Sequence, residues 1–174
     1  MMKKVFNAII FSFIFLTAGQ EIYSLGLGAQ LDAEPGFVTD RKNPAYISAG
    51  AAFSMKQDTI PLSTTVCTDY DFLKKTFNAV IKNDWWIINP RITDYSSFFA
   101  GAGAAIGVST WKSGDALSAS FYAAPRGVFG ISWIFYDGFF EPYIQCAVEP
   151  GFFIGEKTTF CVKTPVNAGV RFYY

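Results

Sequence analysis

The chain contains no histidine. A Ser-His-Asp triad, a Cys-His pair and any zinc site with an imidazole ligand are therefore excluded. Cysteine is scarce. Cys67, Cys146 and Cys161 are an odd set for an exported protein, so not all can pair internally. Their spacing fits no metal motif, and small apolar packing is the expected role, with a disulfide as the alternative. Charge is scarce as well: charged residues are 16% of the chain, 14 basic against 14 acidic. That balance argues against nucleic acid or any strongly charged partner. There is no phosphate-cradling loop, and Gly101-Ala102-Gly103 lies inside an extended stretch rather than at a strand-to-helix turn. Beyond residue 20 no run approaches the ~18 apolar residues of a spanning helix. Yet 51% of residues are hydrophobic. A chain of this kind can enter a membrane only as strands closed into a barrel, because only that satisfies its backbone groups in lipid.

What is present agrees with export. Lys3 and Lys4 precede an apolar run from Val5 to Ala18, and Thr17-Ala18-Gly19 offers small residues for cleavage. This is the pattern of a signal peptide over residues 1–19. Removing it takes two lysines and leaves 155 residues, with 12 basic against 14 acidic. Eight strands of about ten residues, with turns and loops, would use that length.

The carboxy-terminal stretch carries the clearest signal. Val162, Thr164, Val166, Ala168, Val170, Phe172 and Tyr174 fall on one face of an extended strand, opposite Lys163, Pro165, Asn167, Gly169, Arg171 and Tyr173. Similar alternation marks strands over residues 22–33, 45–55, 60–72, 97–111, 117–135 and 140–149. A fourth strand is expected over 84–93, where Trp85-Trp86-Ile87-Ile88 is apolar on both faces. Tyr136-Asp137-Gly138-Phe139 is the strongest turn signal. Longer loops are expected at 34–44, 73–83, 112–116 and 150–160, alternating with short turns near 57, 95 and 137. Gly101, Gly103 and Gly107 share an inner face, where a narrow barrel needs room for bulky side chains opposite. Tyr23, Tyr95, Phe98, Tyr136, Phe139, Phe172 and Tyr174 gather near one rim as a candidate interfacial girdle.

On this parity the inner face carries Asp32, Asp69, Asp71, Arg126, Glu141, Glu149, Lys163 and Arg171, and the parity of Arg91, next to Pro90, is left open. Counting across the Asp137-Gly138 hairpin brings Arg126 near Glu149, and counting across the last loop brings Arg171 near Glu141. Such pairs would neutralise one another inside a narrow lumen, where an unpaired charge is costly. They would form an ionic plug, a selectivity ring around a small pore, or a pair of catalytic carboxylates.

The export signal, the alternating strands, Tyr136-Asp137-Gly138 and the Val170-Arg171-Phe172-Tyr173-Tyr174 ending resemble the small outer-membrane β-barrel proteins of the OmpA, OmpX and OmpW type. The resemblance is one of pattern over residues 20–174. It implies an all-β, eight-stranded, antiparallel, up-and-down transmembrane barrel with both termini in the periplasm. It also implies outer-membrane lipids and the barrel-assembly machinery as partners, the latter reading Val170, Phe172 and Tyr174. The small outer-membrane enzymes are similar in depending on an active-site histidine, so no enzyme and no cofactor are expected. Two features depart from the pattern: Pro125, Pro142 and Pro165 sit in or at strands, where proline removes a ladder donor, and the loops are short for an adhesin. The expected role is structural or surface-interactive, in the outer membrane. A narrow channel for small or hydrophobic solutes is the alternative. A second is a soluble secreted barrel binding an apolar ligand, with Trp85, Trp86, Trp111 and Trp133 around its cavity.

Overall fold

The computed structural model describes residues 25–39, 44–57, 60–113, 116–155 and 157–174. The expected signal peptide and Tyr23 lie outside the described residues. Among the described residues nine extended elements follow one another: β1 (Leu25–Val38), β2 (Ala45–Gln57), β3 (Leu62–Asp71), β4 (Thr76–Ile88), β5 (Ser96–Ser113), β6 (Ala116–Trp133), β7 (Phe140–Ile154), β8 (Thr159–Lys163) and β9 (Val166–Tyr173). Each pairs antiparallel with its chain neighbour from β1 through to β8, and β1 closes the sheet by pairing with both β8 and β9. β7 does the same from the other side, through Glu149↔Lys163 to β8 and Glu141↔Arg171 to β9. β8 and β9 are thus two halves of one eighth wall strand, and the architecture is a closed eight-stranded up-and-down barrel. Closure leaves no free edge, which is how a sheet escapes an unpaired row of amides.

The break between β8 and β9 falls at Thr164-Pro165. The amide of Thr164 still donates to the Pro35 carbonyl at 2.8 Å, and the Ala147 amide donates to the Pro165 carbonyl at 2.9 Å. Proline lacks a donor but keeps its acceptor, so the wall stays hydrogen-bonded on both sides. A second interruption lies between β6 and β7. The ladder stops at Ala123↔Phe152 and resumes at Gly127↔Val148, a gap centred on Pro125 and Pro150, neither of which can donate.

The boundaries correct several expectations. The loops expected at 34–44, 73–83 and 150–160 are largely wall: β1 runs through Pro35 to Val38, β4 begins at Thr76, and β7 reaches Ile154. The connections at that end are 39–44, 72–75, 114–115 and 155–158, no longer than the 58–61, 89–95 and 134–139 connections at the other. The expected alternation of long loops with short turns is therefore absent. The fourth strand is β4, over Thr76–Ile88 rather than 84–93. A bulge there between Trp86 and Ile88 explains its double apolar face. It turns Ile87 and Ile88 both outward while Trp86 remains inside.

Around the wall the parity is inside out for a water-soluble protein. Leu31 is 70% exposed and Ile87 68%, and Phe53, Val66, Phe77, Ile106, Phe129, Ile144, Val148 and Val166 also face outward. Most inward positions are polar or aromatic, with small aliphatic residues such as Val80, Ala105, Val128 and Ala147 between them. Cys67 and Cys161 are buried inside, Cys146 faces outward, and all three are free thiols. At the rim that holds the last residue, Phe139 lies 5.6 Å from Phe172 and 6.0 Å from Tyr174, and Tyr95 stacks 6.5 Å from Phe135. The 134–139 connection turns through positive φ at Tyr136, Asp137 and Gly138, the left-handed backbone that its Asp-Gly pair tolerates.

Candidate functional site: the charged interior

The barrel's distinctive chemistry is inside it. At mid-height, consecutive strands place Asp84 (β4), Gly103 (β5), Arg126 (β6), Glu149 (β7), Lys163 (β8) and Gly36 (β1) at successive register partners; the β6–β7 step crosses the proline gap. Arg126 Nε is 2.7 Å from Asp84, and its Nη1 is 2.6 Å from Glu149. The Arg126–Glu149 pair therefore bridges, on the inner face, the gap that Pro125 and Pro150 leave in the backbone ladder. Tyr122 donates its hydroxyl to the other Glu149 oxygen at 3.0 Å. Lys163 reaches Glu34 at 3.1 Å, and Lys82 joins the same Glu34 at 2.5 Å and Asp32 at 3.4 Å. Asn167 also donates to Asp32.

Glycine makes this crowding possible. A Cβ on Gly103 would stand 2.0 Å from the Asn83 carbonyl oxygen and 2.6 Å from Asp84 Oδ1, and one on Gly28 would meet Arg171 Cγ at 2.8 Å. Each leaves its volume to a long side chain one strand away.

Nearer the terminal rim, Glu141 is held by Arg171 at 3.2 Å, by Lys56 at 3.1 Å and by the Tyr173 hydroxyl. Arg171 lies over the Tyr143 ring at 3.8 Å, Lys56 lies 4.3 Å from the Trp86 ring centre, and Trp86 stacks on Phe99 at 3.9 Å. Guanidinium and ammonium faces on aromatic rings satisfy charge where hydrogen bonds run out.

All eight candidate interior charges lie on the inner face and are buried: Asp32, Asp69, Asp71, Arg126, Glu141, Glu149, Lys163 and Arg171. The two pairings counted across the hairpins have the short distances given above. Arg91 is exposed on the 89–95 connection. The four tryptophans do not line one cavity, since Trp85 points outward while Trp86 is buried. Val170 and Phe172 are half-buried on the outer face and Tyr174 is exposed. Glu34, Lys82, Asp84 and Lys56 were not among the candidates, and they complete the network. Thr76, Asn78, Val80, Lys82, Asp84 and Trp86 alternate inward against Phe77, Ala79, Ile81 and Trp85. That signal was present, but polar residues after Lys74-Lys75 look like a loop.

Asp32, Glu34 and Cys67 offer ligand atoms within 4.8 Å of one another. The Lys82 ammonium already stands between the two carboxylates, so these residues do not fit a metal ion. Toward the other rim, a cavity of about 90 Å³ is lined by Tyr46, Asp71, Lys74, Asn78, Ser109 and Trp111.

No family model matches the chain, and no curated protein matches it. The crystal structure of Neisserial surface protein A superposes with a TM-score of 0.60 at 12% identity, covering 84% of this chain and 96% of that one. Ail, the attachment invasion locus protein of Yersinia pestis, follows at 0.49 and 8%, covering 87% and 98%. The N-terminal barrel domain of Pseudomonas aeruginosa OprF gives 0.43 and 10%, covering 82% and 96%. Of these three, the first is close enough to bear on architecture. At its level of identity the likeness concerns the fold alone.

Proposed function

We propose that this chain is an outer-membrane β-barrel protein with a structural or surface-interaction role, its lumen plugged by its own ionic side chains. One observation carries the reading: exposure is inverted across the wall. Arg171 and Glu149 are fully buried and Lys163 is 1% exposed, while Leu31 and Ile87 on the outside are more than two-thirds bare. In water the outer apolar face would be an aggregation surface; in hydrocarbon it is the matched face. A conducting pore would leave the side chains along its path open to water, and the mid-barrel charges are buried.

The rest of the reading follows from this placement. Residues 1–19 direct export, and both ends of the barrel lie in the periplasm, since β1 begins and β9 ends at the same rim. Val170, Phe172 and Tyr174 present their outward faces to the barrel-assembly machinery, and the surrounding partner is lipid. The role is non-catalytic.

The test has two arms. The protein is expected to sediment with outer membranes and to change electrophoretic mobility on boiling; recovery in the soluble periplasmic fraction would reject the membrane reading. Purified barrel in a planar bilayer is expected to give no steps of current. Regular stepwise conductance would replace the plug by a narrow channel.

A further inference from the structure

Five of the seven buried carboxylates among the described residues meet a lysine or arginine: Asp32, Glu34, Asp84, Glu141 and Glu149. The ion pairs of the described residues do not include Asp69 or Asp71, although both are as deeply buried. Each satisfies one oxygen only. Asp71 Oδ1 accepts the Leu73 and Lys74 amides at 2.9 and 3.1 Å, and Asp69 Oδ1 accepts from Asn78 at 2.6 Å. Asp69 Oδ2 and Asp71 Oδ2 are buried with no hydrogen-bond donor. The same holds for Asn78 Oδ1, an uncharged group 1% exposed whose amide nitrogen is committed to Asp69 and to the Tyr46 hydroxyl at 2.9 Å.

These three oxygens come from adjacent strands. Asp69 and Asp71 are two residues apart on the inner face of β3, and Asn78 on β4 is the register partner of Asp69. Ser48 on β2 is the partner of Asp71 and adds a hydroxyl. Asp71 and Asn78 line the 90 Å³ cavity, where Ser109 supplies another hydroxyl. A buried carboxylate oxygen without a donor is costly. An all-oxygen set of two carboxylates, a carboxamide and hydroxyls is hard-cation chemistry, and a roomy cavity with flexible geometry suits calcium better than magnesium.

We propose that Asp69, Asp71 and Asn78 form a calcium site at the 72–75 end of the barrel, where Asp71 and Asn78 face the cavity and Asp69 stands beside Asn78 in register. Two positive groups stand near it. Lys163 lies 4.7 Å from the Tyr46 ring but is bound to Glu34; Lys74 lies 5.3 Å from the same ring and lines the cavity. A divalent ion competes with the Lys74 ammonium for this space, so Lys74 sets the affinity. The site does not depend on what surrounds the barrel.

The test uses the full-length barrel folded in detergent, with folding checked by its mobility shift on boiling, and titrates terbium as the luminescent stand-in for calcium. Tyr46 and Trp111 line the cavity and sensitise the emission. The expected result is saturable emission displaced by calcium, weakened at least tenfold by Asp69→Asn or Asp71→Asn, weakened several-fold by Asn78→Ala, and strengthened by Lys74→Gln. Asp137→Asn, at the opposite rim, leaves it unchanged. Absence of saturable emission from the folded parent overturns the site and leaves ordered water as the cavity's content. So does binding that survives in the folded Asp or Asn variants. If neither Asp variant folds, Asn78→Ala decides on the same criterion.

Discussion

The interior has two polar regions of opposite design. At mid-barrel, charge alternates through two clusters, Asp84–Arg126–Glu149 and Lys163–Glu34–Lys82–Asp32, and no carboxylate there is left without a cation. At the 72–75 end, Asp69 and Asp71 meet only amides and hydroxyls, and each keeps one oxygen without a donor. The carboxylates of both regions are buried, so the contrast is one of neutralisation and not of exposure. Mid-barrel charge is settled within the chain and holds the wall together, even across the proline gap between β6 and β7. Charge at the end is settled by something the chain leaves room for.

The largest expected effect tests the mid-barrel. Arg126→Met strips Asp84 and Glu149 of their shared cation and should cost about 3–5 kcal/mol, or prevent folding. Urea unfolding of the detergent-folded barrel measures it. Adding Asp84→Asn and Glu149→Gln should recover most of the loss, since the penalty comes from stranded charge; no recovery would mean that Arg126 acts by packing. The outer face provides a reference for both regions. Val166→Arg should cost about 2–4 kcal/mol in a bilayer, whereas a barrel solvated by water would tolerate it, and unfolding from lipid vesicles separates the two.

A smaller effect concerns the room around the ion pairs. Gly103→Val pushes a side chain toward the Asn83 carbonyl and Asp84, and overpacking of this kind costs about 1–3 kcal/mol. The same replacement at Gly127, where a Cβ meets nothing within 4 Å, should fall within about 0.5 kcal/mol of the parent in the same assay. The smallest effect breaks the comparison if it fails. Without added calcium, Asp71→Asn should lower stability by less than about 1 kcal/mol, because a neutral amide relieves the unpartnered oxygen. A loss as large as that of Arg126→Met would put both regions under one rule.

Much of the barrel was legible before its coordinates. The final strand alternates cleanly from Val162 to Tyr174, and its inward set of Lys163, Asn167 and Arg171 is the buried set. Closeness of Arg126 to Glu149 followed from hairpin arithmetic, because antiparallel register is fixed once a turn is placed. Misplaced loops share one cause. Glu34, Asn78 and Lys82 are polar residues on an inner face, but polarity next to Pro35-Gly36 or Lys74-Lys75 resembles a solvated loop. Pro150 falls in the loop expected over 150–160, yet it stands in β7, where the Arg126–Glu149 pair bridges the donors that it and Pro125 lack.

The amino-acid order alone determined the period of two, the apolar outer set and the absence of imidazole chemistry, since these depend only on residue identity and parity. Tertiary structure decided which cation each carboxylate meets. It decided that Lys82, not a metal ion, lies between Asp32 and Glu34, and that Asp69, Asp71 and Asn78 keep unpartnered oxygens, the last two beside a cavity. Those outcomes depend on the stagger of strands distant in the chain, and that stagger is fixed only when β1 closes onto β8 and β9.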